Sequence, residues 1–187
     1  MRLLMFAASL NENSLNKKLI KVAEKLAQKQ GVSTELVDFA KFSGPLYNAD
    51  IQNKVGFPAE ITFFVDQLKQ ADGLVIASPE YNYSIPGTLK NLIDWVSRLS
   101  PLPWKNYPIL LMSASPSLVG GNRGLWATRV PLETCLAYVF PDMFSLASAH
   151  TSFDEAGQLK DKTLAERLEK NIASFIPYVA ALRGIKS

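Results

Sequence analysis

Residues 73–95 read GLVIASPEYNYSIPGTLKNLIDW. Gly73–Ser78 is a continuous apolar run, the pattern of a strand buried on both faces. Pro86–Leu99 follows with Leu89, Leu92, Ile93 and Val96 at helical spacing. Pro86 falls in the first turn, where its missing N–H removes no bond. Between the two lies SPEYNYSI, with prolines at both ends. A doubly buried strand that turns within a few residues into an amphipathic helix predicts a parallel α/β sheet.

The same alternation runs outward in both directions. Arg2–Ala8 is a short apolar run, followed from Ser14 to Gln30 by Leu15, Leu19, Val22, Ala23 and Leu26 on one helical face. Gly31 stops that helix. Ser33–Phe39 alternates as a second strand, and Ala59–Gln70 reads as a helix. Residues 41–58, rich in glycine, proline and asparagine, read as one long loop, a length that tends to carry function. Downstream, Tyr107–Ser113 is a fourth strand, Arg123 to Val139 a helix, Asp142–Ala147 a short fifth strand, and Leu159–Leu182 a closing helix. Five such units predict one domain over residues 1–187, with a doubly wound five-stranded parallel sheet and helices on both faces.

Composition narrows the function. The 187 residues are 48% apolar and 20% charged, which is normal for a globular domain. One cysteine, Cys135, excludes an internal disulfide, and one histidine, His150, excludes a multi-histidine metal centre. The net charge of +3 is spread along the chain and is no nucleic-acid footprint. No stretch approaches the length of a membrane span, and the N-terminus reads as a strand with no secretory leader. A reduced, cytoplasmic protein without nucleic-acid or membrane partners is expected.

In such sheets the ligand lies past the carboxyl ends of the strands, so the residues after each strand carry the function. After the first strand, Ser9, Asn11, Asn13, Ser14 and Asn16 lead into a helix start that supplies free N–H groups and a positive dipole end. That suits a phosphate monoester, at about 1.5–3 kcal/mol per charge-assisted hydrogen bond. The same residues are also preferred helix caps. After the third strand, Asn82 and backbone N–H groups suit the donor–acceptor edge of a planar heterocycle, with Tyr81 or Tyr83 against its plane. A purely structural turn would look alike. After the fourth strand, small residues from Ser113 to Gly121 permit close backbone approach. There is neither a Walker loop nor a GxGxxG dinucleotide motif.

SPEYNYSIPGTLKNLIDW resembles the signature of the NADPH-dependent FMN reductase family, which includes quinone, chromate and azo-dye reductases. The loops Ser9…Ser14…Asn16 and SASPS…GG-N-R agree in order, and the likeness spans residues 2–150, with FDEAGQL and the last helix also similar. The resemblance implies a flavodoxin-like fold with strand order 2-1-3-4-5 and non-covalent FMN. It places the phosphate at Ser9, Asn11, Ser14, Leu15 and Asn16, and the ring at Pro79, Glu80, Tyr81 and Asn82. Ser113, Ser115 and Ser117 fall on the third loop. The family commonly has arginine where this chain has Asn11. The implied activity passes a hydride from NADPH or NADH through FMN N5 to a small acceptor such as a quinone, azo compound, chromate or free flavin. No side-chain catalyst is required. A flavodoxin-type electron carrier and a non-catalytic flavin-binding module are the alternatives. A phosphoacceptor receiver domain is excluded, because Ser9 and Ser78 stand where it needs acidic groups.

The resemblance also implies a homodimer or homotetramer. Trp95, Leu99, Leu102 and Trp104 add bulky apolar surface to a helix that already has a core stripe. They suggest a two-fold interface there, with Asp94 and Arg98 as polar contacts, unless the Ser100–Lys105 loop folds back over them.

Overall fold

The computed structural model describes residues 1–182. Its central strands are β1 (Arg2–Ala7), β3 (Gly73–Ala77) and β4 (Pro108–Ala114), flanked by β2 (Ser33–Leu36). All these strand pairings are parallel, in the order β2-β1-β3-β4, with β5 (Tyr138–Val139) beyond β4. Register aligns Met5 with Val75 and Val75 with Leu110. The three central strands are buried on both faces, as the uninterrupted apolar run GLVIA requires.

Successive side chains of these strands enter opposite cores. Leu4, Phe6, Leu74, Ile76, Ile109 and Leu111 face α3 (Ala59–Gln70), α4 (Gly87–Val96) and α5 (Asn122–Thr134). Leu3, Met5, Val75, Ala77, Leu110 and Met112 face α1 (Leu15–Lys29) and α6 (Lys162–Leu182). The result is a three-layer sandwich. On the first face Phe6, Phe39, Phe42 and Phe64 form an aromatic knot, with Phe42 and Phe64 edge to face at 4.9 Å. Each such pair adds about 0.5–1.5 kcal/mol beyond the burial of its area.

Three expected elements need correction. The helix expected to run to Val139 ends at Thr134. Leu136 takes a left-handed φ of 64°, and Ala137 N–H returns to Leu132 O at 3.0 Å. This helix ending normally carries glycine, so no residue type announced it. The freed segment forms β5 (Tyr138–Val139), and the expected fifth strand is β6 (Phe144–Leu146). Both pair with β4, at Pro108–Ile109 and at Met112–Ala114. Two short strands thus share the fifth sheet position, and Pro141, which has no N–H to give a ladder, lies in the break. The presumed loop 41–58 contains α2 (Ala49–Val55), capped by Asn48 Oδ1 accepting from Asp50 N–H at 2.8 Å.

Of the surplus apolar residues at α4, the two tryptophans are covered within the chain. Trp95 and Trp104 are fully buried. Trp95 Nε1 donates to Pro45 O at 2.8 Å, and Tyr47 meets its ring edge-on at 5.0 Å. Asn91 accepts from Tyr47 N–H at 2.8 Å and donates to Pro45 O at 2.9 Å, fastening residues 45–47 to the helix. Trp104 packs on Phe64. The two tryptophans are therefore buried by the chain itself, while Leu99 and Leu102 stay half-buried. Asp94 is paired with Lys90 at 2.7 Å, and Arg98 folds back to Asp94 O and over Tyr47. Among the described residues, no helix is long and apolar enough to cross a membrane.

Candidate flavin site

Three loops meet above the carboxyl ends of β1, β3 and β4. The first is built from two successive side-chain turns and a helix cap. Ser9 Oγ accepts from Asn11 N–H at 3.3 Å, Asn11 Oδ1 from Asn13 N–H at 2.9 Å, and Ser14 Oγ from Asn16 N–H at 3.2 Å. Ser14 is the N-cap of α1, so Leu15 to Lys17 form the first helical turn, whose N–H groups have no carbonyl one turn earlier. Ser9 and Ser14 are buried, while residues 10–13 are exposed.

Asn16 has a structural assignment. Its amide donates to Ala114 O at 3.0 Å and accepts from Ala114 N–H at 2.9 Å, zipping α1 to β4 across 98 positions. Its side chain is spent, and any anion contact is left to its backbone neighbours. Cationic help is sparse as well. Lys17 pairs with Asp38 at 3.4 Å and Lys18 lies over Phe153. The Ala40 N–H, followed by Lys17, holds the Asp38 carboxyl below its usual range. A cavity of about 410 Å³ opens on this side, lined among others by Glu12, Lys17 and Asp38.

The second loop is a tight hairpin. Tyr81 and Ser84 exchange both backbone hydrogen bonds, at 3.1 and 3.0 Å, and Asn82 and Tyr83 have φ of 50° and 62°. Two left-handed residues at the centre define a type I′ turn, in which glycine normally takes the second place. Tyrosine there costs about 1–2 kcal/mol. Strain of this kind persists only where surrounding contacts hold it. Tyr81 and Tyr83 are 53% and 64% exposed, so the turn presents its rings outward as a ledge.

The Glu80 side chain is engaged by the start of α5. Its carboxylate accepts from Gly124 N–H at 2.8 Å and pairs with Arg123 at 3.4 Å. It thereby caps α5, whose N-cap is Gly121 and brings no side chain. Gly124 was not singled out in sequence; its only signal was the third glycine of GGNRG. A Cβ on Gly124 would lie 2.9 Å from Glu80 Cβ, so loop and helix touch at backbone distance.

The third loop is pinned by one bond of its own and by the chain at the end of β6. Ser115 N–H donates to Leu146 O, Ser115 Oγ accepts from Ser117 N–H at 3.2 Å, and Ser148 N–H donates to Ser117 O. Ser117 and Leu118 are exposed, Leu118 to 88%. Ser113 is fully buried behind Gly121, and its hydroxyl has no hydrogen-bond partner among the described residues. Cys135 lies outside the site, and burial, then Asp94, pushes its thiol upward, away from nucleophilic duty.

The donor set fits FMN. The first loop offers hydroxyls and helix-start N–H groups to a phosphate, while the hairpin and the third loop offer backbone edges and aromatic faces to a planar ring. A doubly wound sheet with a polar loop and helix start after β1 and an open aromatic ledge at the β1/β3 switch point is the arrangement a flavodoxin-like flavin-mononucleotide site calls for. The family model for NADPH-dependent FMN reductase matches residues 1–151, and the chain belongs to that family. It is similar to a quinone reductase of Escherichia coli, 33% identical over 94% of this chain and 93% of that one. An NAD(P)H-dependent FMN reductase of Pseudomonas aeruginosa is 34% identical over 98% and 97% of the two chains. Among solved structures, an NAD(P)H:(acceptor) oxidoreductase of Paracoccus denitrificans superposes with a TM-score of 0.81 at 24% identity, over 96% and 97%. A flavodoxin of Bacillus cereus shares the fold, at 0.60 and 12% identity over 95% and 98%. The chain is an FMN-dependent NAD(P)H oxidoreductase.

Proposed function

We propose that this enzyme reduces small planar acceptors of the quinone class, using NADPH or NADH, on the ledge formed by Tyr81–Ser84 and residues 115–119. The observation that carries the reading is the openness of that ledge. Tyr81, Tyr83 and Leu118 are all more than half exposed. A ring laid there keeps one face accessible to a donor and then to an acceptor. Bound FMN supplies the centre that takes and gives the hydride. The chain's own contribution is placement. Ser9, Ser14 and the first turn of α1 hold the phosphate, and Pro79 through Asn82 set the plane of the ring through backbone groups.

The rival reading is an electron carrier that never meets a nicotinamide. Anaerobic titration with NADPH and NADH separates the two. Bleaching of the flavin bands by either nucleotide, followed by recolouring with a quinone, is expected. Bleaching by dithionite alone would leave only the carrier.

We also propose that copies of the chain associate as a homodimer or homotetramer, and that a neighbour helps wall the ledge. Trp126 and Val130, one turn apart on α5, are 58% and 66% exposed, on the helix whose start holds Glu80. A patch of this kind marks an interaction surface. Sedimentation should give a species of at least twice the chain mass, dissociating on dilution with loss of activity. A fully active monomer would remove the proposal.

A further inference from the structure

Two side-chain contacts tie the strained hairpin to one helix start. Glu80, directly before the turn, is nearly buried at its carboxylate and bonded to Gly124 N–H and Arg123. Arg123 then lays its guanidinium 3.6 Å above the ring of Tyr83, the residue in the unfavourable left-handed position. The root and the tip of the turn are thus both tied to the N-terminus of α5. We propose that Glu80 and Arg123 are positioning residues for the flavin ring, acting as a latch that keeps the Tyr81–Ser84 turn in its left-handed shape. The proposal rests on the FMN reading of the site and says which residues shape it.

The physical argument starts from the turn itself. A tyrosine at the second position of a type I′ turn relaxes elsewhere unless something outside the turn holds it. Within the hairpin, the two Tyr81–Ser84 backbone bonds are the internal restraint. The external restraint is the pair of contacts to α5. A planar guanidinium on an aromatic face gains both stacking and cation–π attraction. The Glu80 carboxylate, at the positive end of the helix dipole, anchors Arg123 as it does so. The close approach allowed by Gly124 makes the arrangement stiff, since no side chain separates the Glu80 backbone from the helix.

Flavin-free protein titrated with FMN and with riboflavin tests the latch, alongside hydrogen exchange at the Tyr81 and Ser84 amides without flavin. Glu80→Ala and Arg123→Ala should each weaken both ligands by about tenfold and by the same factor, because the phosphate loop is untouched. Exchange at the two amides should quicken. Glu80→Gln, which keeps an acceptor for Gly124 N–H, should recover part of the loss. Glycine adopts the left-handed conformation freely, so Glu80→Ala made on top of Tyr83→Gly should cost less than about threefold. An equal cost in both backgrounds would overturn the latch, as would loss of FMN binding without loss of riboflavin binding. If Glu80→Ala does not fold, Arg123→Lys gives the same reading, keeping the charge but not the planar stack. A protein that binds no flavin would end the FMN reading instead, while the exchange data would still judge the latch.

Discussion

FMN is expected to bind about 100-fold more tightly than riboflavin. The two ligands share the ring and differ only in the phosphate, so the ratio isolates the first loop. There the Ser9 and Ser14 hydroxyls and the first turn of α1 offer a dianion several donors. Two or three charge-assisted bonds, less the cost of stripping water from the phosphate, leave a net of about 3 kcal/mol. The lysines nearby are engaged elsewhere, Lys17 with Asp38 and Lys18 over Phe153. Much of the attraction must therefore come from the helix start. Restoring the family's usual charge by Asn11→Arg should raise FMN affinity by about a further tenfold and leave riboflavin unchanged. Fluorescence quenching of each flavin by the flavin-free protein reads both numbers. Equal affinities would put the phosphate somewhere else.

The largest effect on stability is expected from Gly121→Ala, a loss of about 3 kcal/mol. Gly121 has φ of 82°, a conformation that costs an alanine about 1–2 kcal/mol. Its new Cβ would lie 2.1 Å from Ser113 Oγ and 2.9 Å from Ser113 Cβ. Overlap of that kind adds about 1–3 kcal/mol, since Ser113 is a fully buried residue of β4 held in register with Ser145 of β6. Gly31→Ala is the control. Its φ is 77° with open space around it, so only the backbone part remains, about 1 kcal/mol. Adding Ser113→Ala to Gly121→Ala should restore about 1 kcal/mol, because the deleted hydroxyl has no hydrogen bond to lose. Urea unfolding of the four proteins measures each step. A Gly121→Ala loss no greater than that of Gly31→Ala would refute the steric part.

How much of this was legible beforehand follows from what spacing encodes. The unbroken run at residues 73–78 and the helical stripes after it were sufficient for a parallel sheet, because burial on two faces leaves no alternation to write. The β2-β1-β3-β4-β5 order came from resemblance, and the structure has it. The polar loop before α1 announced an N-cap, and Ser14 is one. The end of α5 was not legible, since Leu136 takes the place of a stop residue that is normally glycine.

The sequence by itself therefore determined the layers, the capped start of α1 and the three loops that meet over the sheet, all of which depend on residues near one another in the chain. Tertiary structure alone decided which way each side chain in those loops was spent. Asn16 pairs with Ala114, and Glu80 with the start of α5 across 44 positions. Trp95 is claimed by Pro45 and Tyr47, and not by a second chain. Periodicity carries the identity of a buried face but not of the partner that covers it. A carboxylate or amide with several possible bonds takes the one whose donor the fold brings within 3 Å.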